Sequence, residues 1–298
     1  MLATTFFAMF SALASLLLLG AVPTKGDTHL DRPPPGIEIL HVTEPMQLRR
    51  EITIPVRLSA SGMILLDMQS GEVLMSRNPD QHRAMASLTK IMTALLILEG
   101  NENLDDTITI PVTVDQVRGS TVDLKTGERF RILSLLKALL LPSANDAAYA
   151  LAIADSRSTG AFVKKMNERA ATLGLQHTHF TNPAGFDSPE QYSSPRDLAW
   201  LTMAALKNPE FRSIVHTKEA TIFSLDGREI DLRNTNELLH ENVHVLGVKT
   251  GTTHAAGECL IVLFTEHDHP YLLVLLASKD RYTDSLYLLE AVRQSSTL

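Results

Sequence analysis

The chain has 298 residues, enough for one large domain or two ordinary ones. Its 44% hydrophobic and 20% charged residues are typical of a globular protein with a substantial core. The formal net charge of −7 argues against a nucleic-acid partner, because such proteins usually cluster Lys and Arg. The single cysteine, Cys259, excludes an intramolecular disulfide and a cysteine-based zinc site. Its position in an apolar run predicts a buried side chain.

The N-terminal segment indicates export. Residues 2–22 carry no charged side chain, and about 20 apolar residues suffice to cross a bilayer. We predict that residues 1–24 are a secretory signal peptide or, as the alternative, an uncleaved inner-membrane anchor, which places the protein in the periplasm or cell envelope. No Lys or Arg precedes the apolar core, which departs from the usual signal pattern. The Pro-rich residues 25–58 predict an extended linker before a folded domain at 59–298.

The folded domain begins with a predicted β-hairpin, Met63–Asp67 and Val73–Met75. Apolar periodicity then predicts helices at 86–99, 132–141, 144–155, 160–173 and 195–206. A second hairpin follows at 259–265 and 271–277, and a closing helix at 282–293. Because strands lie at both ends with helices between, we predict an α/β (α+β) fold. Its one antiparallel sheet is built from both chain ends and flanked by helices, with a helical insertion.

The first chemical motif is a Ser-x-x-Lys sequence formed by Ser87 and Lys90. Lys90 is the only charged residue between Met85 and Leu98, so its helix is predicted to be buried nearly all round. Ser87 precedes it by one turn on the same face. Since burial lowers the pKa of a lysine, Lys90 could remove the proton of the Ser87 hydroxyl. The alternative is a serine that starts a helix and a lysine that extends to solvent.

The second motif, Ser143-Ala144-Asn145, follows Pro142 at a predicted helix–helix corner. In the functional interpretation, Ser143 passes a proton to the leaving amine and Asn145 holds Lys90 and the substrate amide. In the alternative, both side chains simply cap the following helix.

The third motif, Lys249-Thr250-Gly251, lies on a predicted strand that enters the final hairpin. Lys249 would supply positive charge for an acidic substrate terminus. Gly251 would leave room for a peptide to lie against the backbone. The amide of Thr252 would be free to donate, with that of Ser87, to a developing oxyanion.

Each motif has a decoy, so order and setting decide between them. The decoys are Ser134–Lys137, Ser76–Asn78 and Lys125–Gly127. The first is predicted to lie on a partly solvated helix face, the second directly follows a strand, and the third is predicted to be a turn. The histidines lie in predicted loops without metal-site spacing, and no phosphate-binding glycine motif is present. We therefore predict no metal and no cofactor.

When the three motifs are taken together with the residues that flank them, the chain resembles the low-molecular-mass D-alanyl-D-alanine carboxypeptidases. These are penicillin-binding serine peptidases of the S11 type. The resemblance covers roughly residues 61–289, and its segments are Ala86–Ala94, Leu140–Ala148, Phe180–Gly185, Arg233–Asn236 and Val248–Gly251. Ala144 stands where glycine is common in that family. Many relatives add a β-rich second domain and a C-terminal anchor, whereas this chain ends after one predicted helix.

The resemblance implies a β-lactamase/DD-peptidase-like fold and a catalytic set of Ser87, Lys90 and Ser143. It also implies a substrate-binding set that comprises Asn145, Lys249, Thr250, Gly251, Thr252 and Arg281. Arg281 is the expected counterpart of an arginine that binds the substrate's terminal carboxylate. The expected substrates are peptidoglycan stem peptides, with β-lactam antibiotics as covalent inhibitors.

Four activities fit this resemblance. The first is a carboxypeptidase that removes the terminal D-alanine through a Ser87 acyl-enzyme, and the close alternative is a D,D-endopeptidase acting on cross-links. A β-lactamase is less well supported, because residues 180–189 contain Asp187 but no glutamate to position water. A non-catalytic peptidoglycan-binding module ranks last, since all three motifs are intact.

Overall fold

The computed structural model describes residues 58–295 of the chain. The predicted signal or anchor at 1–24 and all but the last residue of the predicted linker at 25–58 lie outside the described residues. Within residues 58–295, no helix combines the length and the apolar character that a membrane crossing requires.

The main sheet is antiparallel, has five strands and joins the two ends of the described chain. Its order is β2-β1-β9-β8-β7. The strands are β1 (Gly62–Asp67), β2 (Val73–Arg77), β7 (Val245–Thr253), β8 (Gly257–Glu266) and β9 (His269–Ser278). This confirms the predicted fold class, both terminal hairpins and the sheet built from the two chain ends.

The strands of this sheet are apolar on both faces because each face covers a core. Neighbouring strands align Ile64 with Val274 and Val274 with Ile261, and all three side chains point into the larger core. The alternate residues Leu65 and Leu273 point to the opposite face, where they join a smaller core with the closing helix. Helices on both faces therefore fix the position of β7, which is an edge strand.

Eight α-helices pack around the sheet in the described residues. They are α1 (Lys90–Gly100), α2 (Ile132–Leu140), α3 (Asn145–Ser156), α4 (Thr159–Thr172), α5 (Pro195–Leu206), α6 (Pro209–His216), α7 (Glu237–Glu241) and α8 (Arg281–Ser295). The predicted helices and the closing helix are all present, with bounds shifted by a few residues. The first begins as a 3₁₀ turn, Ala86–Thr89, and continues as α1.

Two small hairpins and two helices were not predicted. The hairpins are β3 (Thr107–Thr109) with β4 (Arg129–Arg131), and β5 (Glu219–Phe223) with β6 (Glu229–Arg233). Of the two helices, α6 begins with residues that are typical of a helix N-terminus. The Asn208 side chain accepts hydrogen bonds from the amides of Glu210 and Phe211, and Pro209 occupies the first turn.

Candidate active site

Ser87 and Lys90 meet at the junction between the 3₁₀ turn and α1. Lys90 Nζ lies 2.9 Å from Ser87 Oγ, 2.7 Å from Asn145 Oδ1 and 2.7 Å from the carbonyl oxygen of Ala184. Lys90 is fully buried. The structure therefore contradicts the alternative in which this lysine extends to solvent.

Burial lowers the pKa of Lys90 well below its ordinary value, and the positive charge of Lys249 lowers it further, whereas Asp146 opposes the shift. A neutral amine has two N–H donors and one lone pair. The two carbonyl oxygens, of Asn145 and Ala184, can only accept hydrogen bonds, so they take both donors. The lone pair is then left for the hydroxyl of Ser87, which is the arrangement that a general base requires.

The second motif forms the start of α3 without capping it. The N-cap residue is Ala144, and neither Ser143 nor Asn145 forms a capping hydrogen bond in the described residues. The capping alternative for Ser143 and Asn145 is therefore wrong. Instead, Asn145 Oδ1 accepts from Lys90, while its Nδ2 donates to the Arg118 carbonyl oxygen at 2.8 Å.

Ser143 has a left-handed backbone conformation, with φ of 65°. Its Oγ is buried and has no hydrogen-bond partner among the described residues. Such a hydroxyl costs stability unless something occupies the space beside it. A group of a bound substrate could satisfy it, which supports the predicted role in proton transfer.

Lys249 is buried on β7, and its Nζ donates to the Thr250 carbonyl oxygen at 3.0 Å. Burial lowers its pKa to about 7, with a further contribution from the positive charge of Arg281. Because the positive charge of Lys249 also lowers the pKa of Lys90, the two buried amines lie close enough for the first to influence the second. The Thr250 hydroxyl pairs with that of Thr235 at 2.5 Å, so the segment before α7 borders the site as well.

Gly251 has a different role from the one predicted. A Cβ at this position would lie 2.9 Å from the Ser87 nitrogen and 3.2 Å from the Met85 carbonyl oxygen. The space is thus occupied by the turn that carries Ser87, and not left open for a peptide. The absence of a side chain lets β7 pack directly against that turn.

Thr252 lies on β7 itself, and Arg281, the first residue of α8, lies beside that strand. Arg281 Nη1 donates to the carbonyl oxygens of Gly251, at 3.0 Å, and Cys259, at 3.2 Å, and its Nε lies 3.7 Å from Glu258. Arg281 therefore braces the end of β7. Its binding of a substrate carboxylate, and the oxyanion role of the Thr252 amide, stay predictions.

Residues 180–185, which are part of the family resemblance but not of the predicted site, belong to a loop at 180–191 that contacts Lys90. Beyond the bond from Lys90 to Ala184, the Thr93 hydroxyl donates to the Pro183 carbonyl oxygen at 2.7 Å, which ties the loop to α1. The Asn182 side chain accepts from three successive loop amides, those of residues 184, 185 and 186. No sequence pattern indicates which backbone carbonyl will accept a hydrogen bond from a lysine. The contact between Lys90 and Ala184 could therefore not be predicted from the sequence.

The far side of the same loop is fastened to the end of β7. The Thr253 hydroxyl donates to Asp187 at 2.6 Å, and the Ala255 amide donates to the same carboxylate at 3.1 Å. Asp187 therefore holds the loop in place with both of its carboxylate oxygens.

The decoy motif at 134–137 differs in its contacts from the pair Ser87 and Lys90. Lys137 is buried, contrary to the predicted partly solvated face, because α2 packs against several elements. No hydrogen bond joins it to Ser134 in the described residues. Cys259 is buried as predicted, and burial raises the pKa of its thiol to about 11. Within residues 58–295, no three His, Cys, Asp or Glu side chains are grouped to hold a metal ion.

The two lysines lead us to expect a bell-shaped pH profile of kcat/KM on a D-Ala-D-Ala peptide. Lys90 must be neutral to act as a base, so activity falls as the pH drops through its lowered pKa. Lys249 must be charged to attract a carboxylate, so activity falls as the pH rises through about 7. The variant Lys249→Gln should be less active and should lack the basic limb. A wild-type profile that keeps rising to pH 9 would contradict this assignment.

Comparison with known proteins places the chain in a family. Residues 49–280 match the model of peptidase family S11, described as D-alanyl-D-alanine carboxypeptidase. The chain is 36% identical over 205 residues to the D-alanyl-D-alanine carboxypeptidase DacF of Bacillus subtilis, a match that covers 67% of this chain but only 53% of DacF. It is 33% identical over 229 residues to the D-alanyl-D-alanine endopeptidase of Pseudomonas aeruginosa, covering 76% of this chain and 74% of that protein.

The fold comparison agrees. The crystal structure of the Streptomyces K15 DD-transpeptidase superposes with a TM-score of 0.76 and 33% identity, covering 80% of this chain and 98% of that one. The site described above, the family match and this shared fold all point to the same group of proteins. The chain belongs to the S11 family of D-alanyl-D-alanine carboxypeptidases.

Proposed function

We propose that this protein is a serine-type D-Ala-D-Ala carboxypeptidase that removes the terminal D-alanine of peptidoglycan stem peptides. The observation that carries the proposal is the environment of Lys90. Two carbonyl oxygens occupy its donors, and its remaining neighbour is the hydroxyl of Ser87. The family match and the names of the relatives support the same activity.

In the proposed reaction, Ser87 Oγ attacks the carbonyl carbon between the two D-alanines while Lys90 takes the hydroxyl proton. The amides of Ser87 and Thr252 stabilise the oxyanion. The C–N bond then breaks, and Ser143 passes a proton to the leaving amine, so that D-alanine departs. Water hydrolyses the ester on Ser87 and restores the hydroxyl. Lys249, Thr250 and Arg281 attract the substrate's terminal carboxylate, and Asn145 orients the amide.

The strained amide of a β-lactam should enter the same path, because it presents a carbonyl and a nearby carboxylate. A stable adduct is expected, since the only carboxylate of the 180–189 loop already accepts two hydrogen bonds from Thr253 and Ala255. Because these bonds hold Asp187 against the end of β7, we expect it not to activate a deacylating water, which disfavours a β-lactamase.

Mass spectrometry of the intact protein after incubation with benzylpenicillin tests the proposal. We expect one long-lived penicilloyl adduct, mapped to the peptide that contains Ser87, together with release of D-alanine from a stem pentapeptide. An adduct on Ser134 would contradict the nucleophile assignment. Rapid turnover of the adduct would indicate a β-lactamase. Cleavage of cross-linked dimers without release of terminal D-alanine would indicate the endopeptidase activity for which the Pseudomonas aeruginosa relative is named.

We also propose that the protein works in the cell envelope. The apolar residues 2–22 would direct export, with membrane anchoring as the alternative, and residues 25–58 would connect them to a catalytic domain at 59–298. N-terminal sequencing of the mature protein would distinguish cleavage from anchoring.

A further inference from the structure

A groove of about 720 Å³ opens beside the candidate active site, between α3 and the segment that precedes β4. We call it the side groove. Its apolar wall consists of Val112, Val117, Tyr149, Ile153 and Phe186. Apolar grooves with a few charged groups are the usual form of a binding site for a peptide or small molecule.

The side groove leads directly to the reacting groups. Arg118 lines it, and the backbone carbonyl of that residue accepts from Asn145, which in turn holds Lys90. On the other side, Phe186 lines it two residues after Ala184, whose carbonyl oxygen accepts from Lys90. A peptide whose carbonyl reaches Ser87 can therefore extend its acyl part into the groove.

The charged residues that line the side groove are all positive. Two arginines line it, Arg118 and Arg157, and none of the described residues in its lining is acidic. Among the described residues, the Arg118 side chain donates to backbone carbonyl oxygens alone, those of Asp115 and Val117. Neither arginine forms a salt bridge among residues 58–295. Asp155, the acidic residue nearest to Arg157 in sequence, is already paired with Lys165 at 2.8 Å.

From this lining we infer that the side groove binds the acyl part of an anionic stem peptide and selects stems with free carboxylates over amidated ones. The inference rests on the proposed function and adds the class of substrate. The apolar wall suits the methylene chain of a diamino acid next to the D-Ala-D-Ala unit. The two guanidinium groups, which form no salt bridge among residues 58–295, suit the carboxylate of a γ-linked D-glutamate.

The test compares two synthetic pentapeptides, Ala-γ-D-Glu-Lys-D-Ala-D-Ala with the glutamate α-carboxyl either free or amidated. D-Alanine release at low salt is expected to give a KM several-fold lower for the free acid. For R157Q that preference should fall about threefold to fivefold, the size expected for one exposed ion pair. R157E should reverse the preference, with kcat on the free acid nearly unchanged. Added salt should weaken the wild-type preference.

The matched control is K164Q, which removes another exposed positive charge from a residue outside the side groove. It should keep the wild-type preference. Equal KM values for the two peptides in the wild type would overturn the inference, and so would an unchanged preference in both R157Q and R157E. Acylation by benzylpenicillin is measured in parallel, because its absence in the wild type would instead refute the proposed function.

Discussion

Replacing Lys90 by methionine is expected to slow acylation by benzylpenicillin about 10³-fold or more while the protein still folds. Methionine has nearly the same length and suits the apolar surroundings of α1. It removes the group that lies 2.9 Å from the Ser87 hydroxyl and is placed to accept its proton, and a positioned general base typically contributes 10²- to 10⁴-fold. It also leaves the oxygens of Asn145 and Ala184 without their donor, at about 1–3 kcal/mol each, which removal of a buried amine partly offsets.

The chain provides a matched control in Lys137. This lysine is also buried on a helix and also follows a serine at the Ser-x-x-Lys spacing, but among the described residues it forms no hydrogen bond with Ser87, Lys90 or Asn145. Lys137→Met should therefore acylate within about twofold of the wild type. The rate of adduct formation, followed by mass spectrometry, and thermal unfolding followed by circular dichroism separate chemistry from folding. A Lys90→Met rate within tenfold of the wild type would show that another group acts as the base.

The sequence predicted the parts of this fold that depend on local pattern. Alternating or continuous apolar runs located both terminal hairpins, and the paucity of charges around Lys90 correctly predicted that its helix is buried nearly all round. The assembly of both chain ends into one sheet followed because strands at the two ends leave few other ways to bury two apolar faces. The missed hairpins, β3 with β4 and β5 with β6, are short and half-exposed, so their residues carry little apolar pattern.

The sequence predicted the part of the candidate site that side-chain motifs define. The structure brings Ser87, Lys90 and Asn145 together, but three of the contacts that define their geometry involve the main chain. These are the carbonyl oxygens of Ala184 and Arg118 and the close packing of Gly251 on the Ser87 turn. Any residue type has a carbonyl, so only the fold determines which one meets the lysine. For the same reason, the burial of Lys137 depends on tertiary packing that its own helix does not encode.

Replacing Gly185 by alanine is expected to have the second large effect, because it disturbs the packing around Ser87 without removing a reacting group. Its φ of +94° favours glycine, and a Cβ there would lie 1.9 Å from the Ala86 carbonyl oxygen and 3.0 Å from the Ser87 nitrogen. Gly185→Ala must therefore displace either the loop or the turn that carries the nucleophile. We expect a loss of about 2–4 kcal/mol in the free energy of unfolding, from strain and overpacking together. Acylation should slow about 100-fold, the usual cost of a displacement near 1 Å.

The control variant Gly174→Ala separates the cost of backbone strain from the cost of overpacking. Gly174 also has a positive φ, of +73°, but a Cβ there would meet no atom within 4 Å. This variant should lose about 1 kcal/mol from backbone strain and keep the wild-type rate of acylation. Because both variants incur the backbone strain, the difference between them isolates the contact of the loop with Ala86. Equal losses of stability, or a normal acylation rate in Gly185→Ala, would mean that this contact does not hold Ser87 in position. The differences in stability and in acylation rate between Gly185→Ala and Gly174→Ala therefore measure how firmly the loop at 180–191, which has no catalytic side chain, holds Ser87 in position.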